Sequence, residues 1–313
     1  LRRLFGILLI LTAIAMGLAR EPDRDVETLA GRWAPPPSQF IDLGGQLVHL
    51  RDEGPRDDAE PILLIHGTSA SLHTWEGWTA RLRGQRRVVS FDLPGFGLTG
   101  PWMGAREGRS YHGDELARFT LELMDRLQLP RVAIAGNSLG GEVAWRVAVL
   151  APERVSRLVL VDAAGPDFEP QSVPVGFMVA SIPILNRIGE FALPRGIVEQ
   201  SIRSVYADPS RVSEQLVDRY FELTLREGNR RALGQRMSAM VRGEGAEKIA
   251  LVKAPTLVVW GAEDRLIPPP IADEFVRLIP GSRKVVLPGL GHVPHEEDPA
   301  ASLAPVKPFL GVN

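Results

Sequence analysis

The chain has 313 residues, 44% of them hydrophobic and 24% charged, with a formal net charge of −2 and no cysteine. These are the proportions of a globular protein with a sizeable core, and they exclude a mostly disordered chain. The balance of 36 Lys+Arg against 38 Asp+Glu gives no pull towards nucleic acid, and the lack of cysteine excludes a disulfide framework, a thiolate metal site and a cysteine nucleophile.

Arg2 and Arg3 precede an uncharged run of 16 residues from Leu4 to Ala19, after which Arg20, Glu21 and Asp23 restore charge. As a helix the run would measure roughly 24 Å, short of the ~30 Å hydrocarbon core of a bilayer. That length favours a signal peptide over residues 1–20, and Gly17-Leu18-Ala19 loosely fits a small-x-small cleavage pattern. The alternative is a membrane anchor whose arginines snorkel across a thin bilayer. Either way the two arginines stay cytoplasmic, so the catalytic domain is expected outside the cytoplasm, exported or anchored to the inner membrane. Residues 21–38, with Pro35-Pro36-Pro37, read as a semi-rigid linker.

Phe40 to Leu43 and Leu47 to Arg51, split by Gly44-Gly45, predict a β-hairpin. Short apolar runs follow at Ile62 to Ile65, Val88 to Phe91, Val132 to Ala135, Leu158 to Val161, Thr256 to Trp260 and Lys284 to Leu287, with helical stretches between them. Runs apolar on both faces and spaced by helices indicate a mostly parallel α/β sheet covered on both sides. The clearest helix is Gly113 to Leu127, where Leu116, Phe119, Leu123 and Leu127 recur at spacings of three and four. Between Val161 and Pro255 about ninety residues hold no convincing strand but several amphipathic stretches, including Val175 to Phe191 and Val212 to Arg226. An insertion there should sit over the carboxyl ends of the strands, where ligands bind, so residues 166–250 read as a helical cap on a core of 39–165 and 251–313. Pro299, Pro305 and Pro308 crowd the C-terminus and predict a short or broken last helix.

Chemistry concentrates at the ends of these strands. Val132 to Ala135 runs into Gly136-Asn137-Ser138-Leu139-Gly140-Gly141 and then a helical stretch, Glu142 to Leu150. A Gly-x-Ser-x-Gly between strand and helix is a sharp turn that lifts the serine clear of the sheet, and only glycine leaves room for so close a turn. The helix that follows aims N–H groups at any negative charge developing on the substrate, so Ser138 is the candidate nucleophile and the Leu139 N–H one oxyanion donor. Ile62 to Ile65 ends in His66-Gly67-Thr68-Ser69, where the Thr68 N–H is the candidate second donor and His66 is assigned to holding the loop. A serine needs a base, and the base needs a carboxylate to orient it. His292, on the glycine-flanked loop Pro288 to His292, is the candidate base, and His295 is set aside as exposed. Asp264, just past the strand Thr256 to Trp260, is the candidate acid; Asp162, at the end of the strand Leu158 to Val161, is its competitor, and the adjacent Glu263 should point elsewhere. Trp75 and Trp78 are assigned to core packing, while Val175 to Leu185 fits an acyl-binding wall and a packed cap helix equally well. No histidine–carboxylate group has metal-ligand spacing and no dinucleotide fingerprint is present, so no cofactor and no metal are expected.

Taken in order, His66-Gly67, Phe91-Asp92-Leu93-Pro94-Gly95-Phe96-Gly97, the Ser138 elbow, Pro255 to Asp264 and Gly291-His292 make the chain from about Phe40 to Leu310 resemble the α/β-hydrolase superfamily. The elbow is most similar to those of small capped bacterial esterases and lipases, and to those of carbon–carbon bond hydrolases of aromatic degradation. The resemblance implies that Asp92 is structural, fixing the turn of Gly95 and Gly97. It also argues against epoxide hydrolases and haloalkane dehalogenases, which carry aspartate where Ser138 stands. The expected activity is hydrolysis of carboxylic esters with medium-chain or otherwise apolar acyl groups through an acyl-serine. Carbon–carbon bond cleavage by the same three residues is the alternative, and a catalytically silent binding protein is a reading from a different class. Beyond a small-molecule substrate, the one partner expected is a membrane, through residues 4–19.

Overall fold

A computed structural model describes Gly17 and residues 20–312, so the expected signal or anchor lies outside the described residues apart from Gly17 and Arg20. No helix among the described residues is long and apolar enough to cross a membrane.

Eight strands form one sheet: β1 (Gln39–Leu43), β2 (Gln46–Glu53), β3 (Ile62–Ile65), β4 (Val88–Phe91), β5 (Val132–Asn137), β6 (Val155–Val161), β7 (Thr256–Gly261) and β8 (Arg283–Leu287). Their order across the sheet is β1-β2-β4-β3-β5-β6-β7-β8. The β1–β2 hairpin and the β2–β4 pair are antiparallel, and every other neighbour is parallel. The central strands are mostly apolar because both their faces are buried. On β3, Leu63 and Ile65 enter one core while Ile62 and Leu64 enter the other; β5 and β6 divide their side chains the same way.

The first core is roofed by α3 (Gly113–Arg126), α4 (Leu139–Leu150) and α10 (Pro270–Leu278). On α3 the residues Leu116, Phe119 and Leu123 are buried, as their spacing requires. The second core takes Trp78 and Leu82 from α2 (Glu76–Leu82), Trp75 just before it, and Leu303 and Val306 from the C-terminal pieces. Trp75 and Trp78 are completely buried there, at 0% exposure. The prolines divide the C-terminus into α11 (Pro294–Glu297), α12 (Pro299–Leu303) and α13 (Val306–Phe309), in place of one long helix.

Five helices and no strand lie between β6 and β7: α5 (Val175–Ser181), α6 (Pro183–Gly189), α7 (Arg195–Arg203), α8 (Glu214–Thr224) and α9 (Asn229–Ala239). The apolar stretch Val175 to Phe191 is broken by Pro183, which starts α6.

The segment read as a linker is built differently. It carries α1 (Val26–Trp33), capped by Asp25, whose side chain accepts the Thr28 N–H at 2.6 Å. Leu29 and Trp33, one turn apart, are buried with Leu98 and Leu223 of α8. Trp33 Nε1 also donates to Glu222 at 2.6 Å, and Arg32 pairs with Glu222 and Asp218. A short capped helix with two large apolar side chains on one face outweighs the stiffening of the prolines beyond it.

Candidate active site

Ser138 sits between the end of β5 and the first residue of α4, at φ 53° and ψ −117°. A non-glycine residue at positive φ costs about 1–3 kcal/mol and persists only where its surroundings impose it. Here the glycines impose it. A Cβ on Gly136 would collide with the Gly140 carbonyl, and one on Gly140 would collide with the Ile65 carbonyl at the end of β3. One on Gly67 would come within 2.8 Å of the Asn137 side chain and 3.2 Å of the Ser138 Cβ. The elbow and the His66-Gly67 loop therefore press together directly over the sheet.

His66 is buried and holds that loop, as assigned: one ring nitrogen meets the Gly67 carbonyl at 2.7 Å and the other accepts the Leu93 N–H at 2.9 Å. Burial lowers its pKa, which keeps the ring neutral and able to accept. Asp92 takes the part expected of it, accepting N–H groups from Leu72 and Leu98 and lying 2.7 Å from His49 Nδ1. Burial opposes its ionisation, but the His49 imidazole more than offsets this and holds the carboxyl well below its usual range.

His292 and Asp264 come together at the other side of the elbow. The imidazole Nδ1 lies 2.7 Å from Asp264 Oδ2, and both side chains are buried. Asp264 Oδ1 accepts the N–H groups of Leu266 at 2.8 Å and Ile267 at 3.0 Å, so this carboxylate has one oxygen for its loop and one for the histidine. Glu263 is exposed and takes no part.

Asp162 also reaches this cluster: ligand atoms of Asp162, Asp264 and His292 lie within 4.8 Å of one another. Asp162 Oδ1 accepts the Gly261 N–H at 2.9 Å, but Oδ2 has no partner as an acceptor. Burial first, and the Asp264 charge second, push the Asp162 carboxyl well above its usual range. A proton on Oδ2 resolves the orphan, since the acid then donates towards Asp264 instead of competing with it. Both aspartates weighed against each other from sequence thus reach the cluster, Asp264 bonded to the imidazole and Asp162 beside it. That spacing would also suit a cation, but the hydrogen bonds already commit most of these oxygens.

Two further residues hold the histidine loop. Asn137 Nδ2, inside the elbow, donates to the His292 carbonyl at 2.9 Å and to the Val161 carbonyl at 3.2 Å. Glu297 accepts from Gly291 N at 2.8 Å and from Ala207 N and Asp208 N of the inserted region. His292 N itself donates to the Val205 carbonyl at 2.8 Å, so the insertion grips the loop by its backbone. Asn137 stood next to the nucleophile and could have been found; nothing in the pattern around Glu297 announces its role.

His295 corrects an expectation. It is fully buried, not exposed, because α11 opens at Pro294 and turns the ring onto Trp75, with centroids 4.0 Å apart. Burial, and then the nearby His292, hold it neutral, and neither ring nitrogen has a partner among the described residues.

Ser138 and Thr68 are shared by two cavities. One is lined by His292 and by side chains of the insertion, among them Phe177, Val179, Ile197, Ile202 and Leu233, with Arg230 also on its wall. The other contains Leu139, Trp145, Phe168, Met237 and Met240. Thr68 and Leu139, the candidate oxyanion donors, both line the second cavity with Ser138, and the Leu139 N–H, first in its helix, has no acceptor within it. Phe177 and Leu266 also face both cavities, and Gly176, Val179 and Ala180 face the first, so α5 contributes wall as well as packing.

The comparisons agree with this architecture. A dihydrolipoyllysine-residue acetyltransferase component of an acetoin cleaving system from Pseudomonas putida is 30% identical over 261 residues, 82% of this chain and 65% of that protein, so the chain spans a little under two thirds of that relative. A 2-hydroxy-6-oxo-6-(2'-aminophenyl)hexa-2,4-dienoic acid hydrolase from Metapseudomonas resinovorans is 27% identical over 272 residues, 83% of this chain and 87% of that one. A solved thermophilic esterase from Thermogutta terrifontis shares the fold with a TM-score of 0.70 at 24% identity, covering 87% of this chain and 98% of its own. The family model that matches residues 62–306 is that of the alpha/beta hydrolase family. With an eight-stranded sheet, a strained serine elbow and a family match over most of its length, this chain belongs to the alpha/beta hydrolase family.

Proposed function

We propose that this hydrolase cleaves carboxylic esters with apolar acyl groups through an acyl-serine intermediate. The observation that carries the reading is one cavity faced by both Ser138 and His292, with the far nitrogen of that imidazole 2.7 Å from the Asp264 carboxylate. Asp264 holds the tautomer in which His292 Nδ1 carries a proton and Nε2 is free to accept one. His292 takes the proton of Ser138 as its Oγ attacks the ester carbonyl. The N–H groups of Thr68 and Leu139 stabilise the tetrahedral oxyanion, each worth about 3–4 kcal/mol in the transition state. His292 returns the proton to the departing alcohol, and a water it activates then releases the acid and restores the serine.

The mostly apolar lining of the cavity that holds both Ser138 and His292 supports an apolar acyl group, and residues 166–250 act as the cap that shapes it. The relative from Metapseudomonas resinovorans supports the second reading, carbon–carbon bond cleavage with the same residues. An export or anchoring segment favours the ester reading and a catalytic domain outside the cytoplasm.

A panel of p-nitrophenyl esters of graded acyl length, run beside a vinylogous 1,5-diketone acid, separates the two readings. Ester turnover lost on Ser138→Ala supports the first. Turnover of the diketone acid alone supports the second, and undiminished ester turnover by Ser138→Ala rejects the nucleophile.

A further inference from the structure

We propose that the corner formed by α5 and α6 is a membrane-docking surface that seats this hydrolase on the hydrocarbon edge of a phospholipid bilayer. Ile182, Ile184, Leu185, Ile188 and Phe191 are all exposed there, Ile184 at 74% and Phe191 at 65%. Scattered apolar side chains are ordinary on a protein surface, but a contiguous group on one short helix and its flanks marks an interaction site. From Pro170 to Gly189 the only charged residue is Arg187, which is also exposed. An apolar face whose one charge is a cation suits lipid with anionic headgroups better than it suits water.

The occupant is argued from where the chain enters. Glu21 N donates to the Phe191 carbonyl at 3.1 Å, and Arg20 bridges to Ala192. Asp23 pairs with Arg230 at 2.5 Å, and Arg24 with Glu222, so this end of the chain is clamped to the insertion beside the apolar corner. Arg20, the residue that follows the 16 uncharged residues 4–19 in the sequence, therefore lies beside the corner, and Arg2 and Arg3 precede that run. The apolar corner and the point where the uncharged, arginine-bracketed run joins the described chain thus lie side by side. A bilayer accommodates both at once, the hydrocarbon taking the apolar side chains and the phosphates the guanidinium groups.

The corner also leads to the serine. Met178 of α5, 45% exposed, and Met240 and Val241 beyond α9 line the cavity that holds Ser138 and Leu139. An acyl chain leaving the bilayer would meet Met178, Met240 and Val241 on the wall they share with Glu142, Arg236, Arg242 and Glu244. This consequence rests on the ester-cleaving reading above; the docking itself does not.

The chain has no cysteine, so Ile184→Cys in the full chain gives one attachment point for a polarity-sensitive dye. With vesicles of phosphatidylcholine and phosphatidylglycerol, the dye should shift to the blue and be quenched by spin-labelled acyl chains. A dye already shielded without vesicles means that residues 4–19 or a second copy cover the corner, and overturns the proposal. A dye unquenched on vesicle addition overturns it as well. In a second arm, the double variant Ile184→Glu with Ile188→Glu should hydrolyse a long-chain ester embedded in vesicles about tenfold or more slowly than the unmodified chain. Its turnover of a soluble short ester should be unchanged, because neither residue lines a cavity at Ser138. Equal turnover of the embedded ester by both proteins overturns the proposal. If neither ester is hydrolysed by the unmodified chain, the ester reading fails while the quenching result still decides the docking.

Discussion

Asp264→Asn tests the chemistry most sharply, because the structure dictates how the new amide must sit. Asp264 Oδ1 accepts two buried N–H groups, from Leu266 and Ile267, while Oδ2 faces His292 Nδ1. An asparagine that turned its NH2 towards the two N–H groups would leave both without an acceptor, at about 1–3 kcal/mol each. Its carbonyl therefore takes the Oδ1 place and its NH2 points at the imidazole. A donor at Nδ1 forces the histidine proton onto Nε2, and a protonated Nε2 cannot accept the proton of Ser138. From the tautomer alone, kcat should fall about 10⁴-fold, or roughly 5 kcal/mol of barrier, with little change in KM. Asp162 does not take over: Asp264 is the carboxylate bonded to His292 Nδ1, and Asp162 Oδ1 is held by the Gly261 N–H. Asp162→Asn keeps a hydrogen-bond donor towards Asp264 and should cost little. The assay is kcat and KM on a short p-nitrophenyl ester, with urea unfolding to confirm that both variants are folded. The reasoning is refuted if Asp264→Asn stays within about tenfold of the unmodified chain while Asp162→Asn loses activity.

Gly140→Ala should destabilise by about 3 kcal/mol or more, read as a lower urea midpoint, because its Cβ meets the rigid Ile65 carbonyl and not a side chain that can move. Trp33→Ala should cost about 3 kcal/mol by the same measurement, since it empties a buried site between α1 and α8 and removes the bond to Glu222. Stability should also fall as pH drops from 7 to 5. Burial, the largest cause in each case, lowers the pKa values of His66, His73 and His295, with that of His73 brought to about 4. The unfolded chain therefore takes up three protons near pH 6.5 that the native protein refuses, and this stabilisation is present above that pH and lost below it. Asp162 acts with the opposite sign, holding a proton in the native state that the unfolded chain releases. Three histidines against one aspartate give a net fall, and an unchanged urea midpoint from pH 7 to pH 5 would contradict it.

Much of this molecule can be read without coordinates. The strand at Ile62 to Ile65 and the one at Val88 to Phe91 keep the bounds their apolar runs suggest, because strands buried on both faces begin and end on apolar residues. The serine turn was legible for a related reason: close backbone approach at Gly136 and Gly140 admits one residue type, so the geometry leaves its mark in the residues themselves. Where several residue types would serve equally well, no mark is left. That α1 docks on α8 depends on Leu29 and Trp33 finding Leu223 and Leu98, residues distant in the chain. That His295 is buried against Trp75 while His292 faces the cavity depends on how α11 turns after Pro294. That Asp264 faces the imidazole while Asp162 supports it in neutral form is decided by burial and by a second carboxylate nearby. Local sterics are written into adjacent residues; electrostatics and packing belong to the sum of all neighbours, which exists only once the chain has folded.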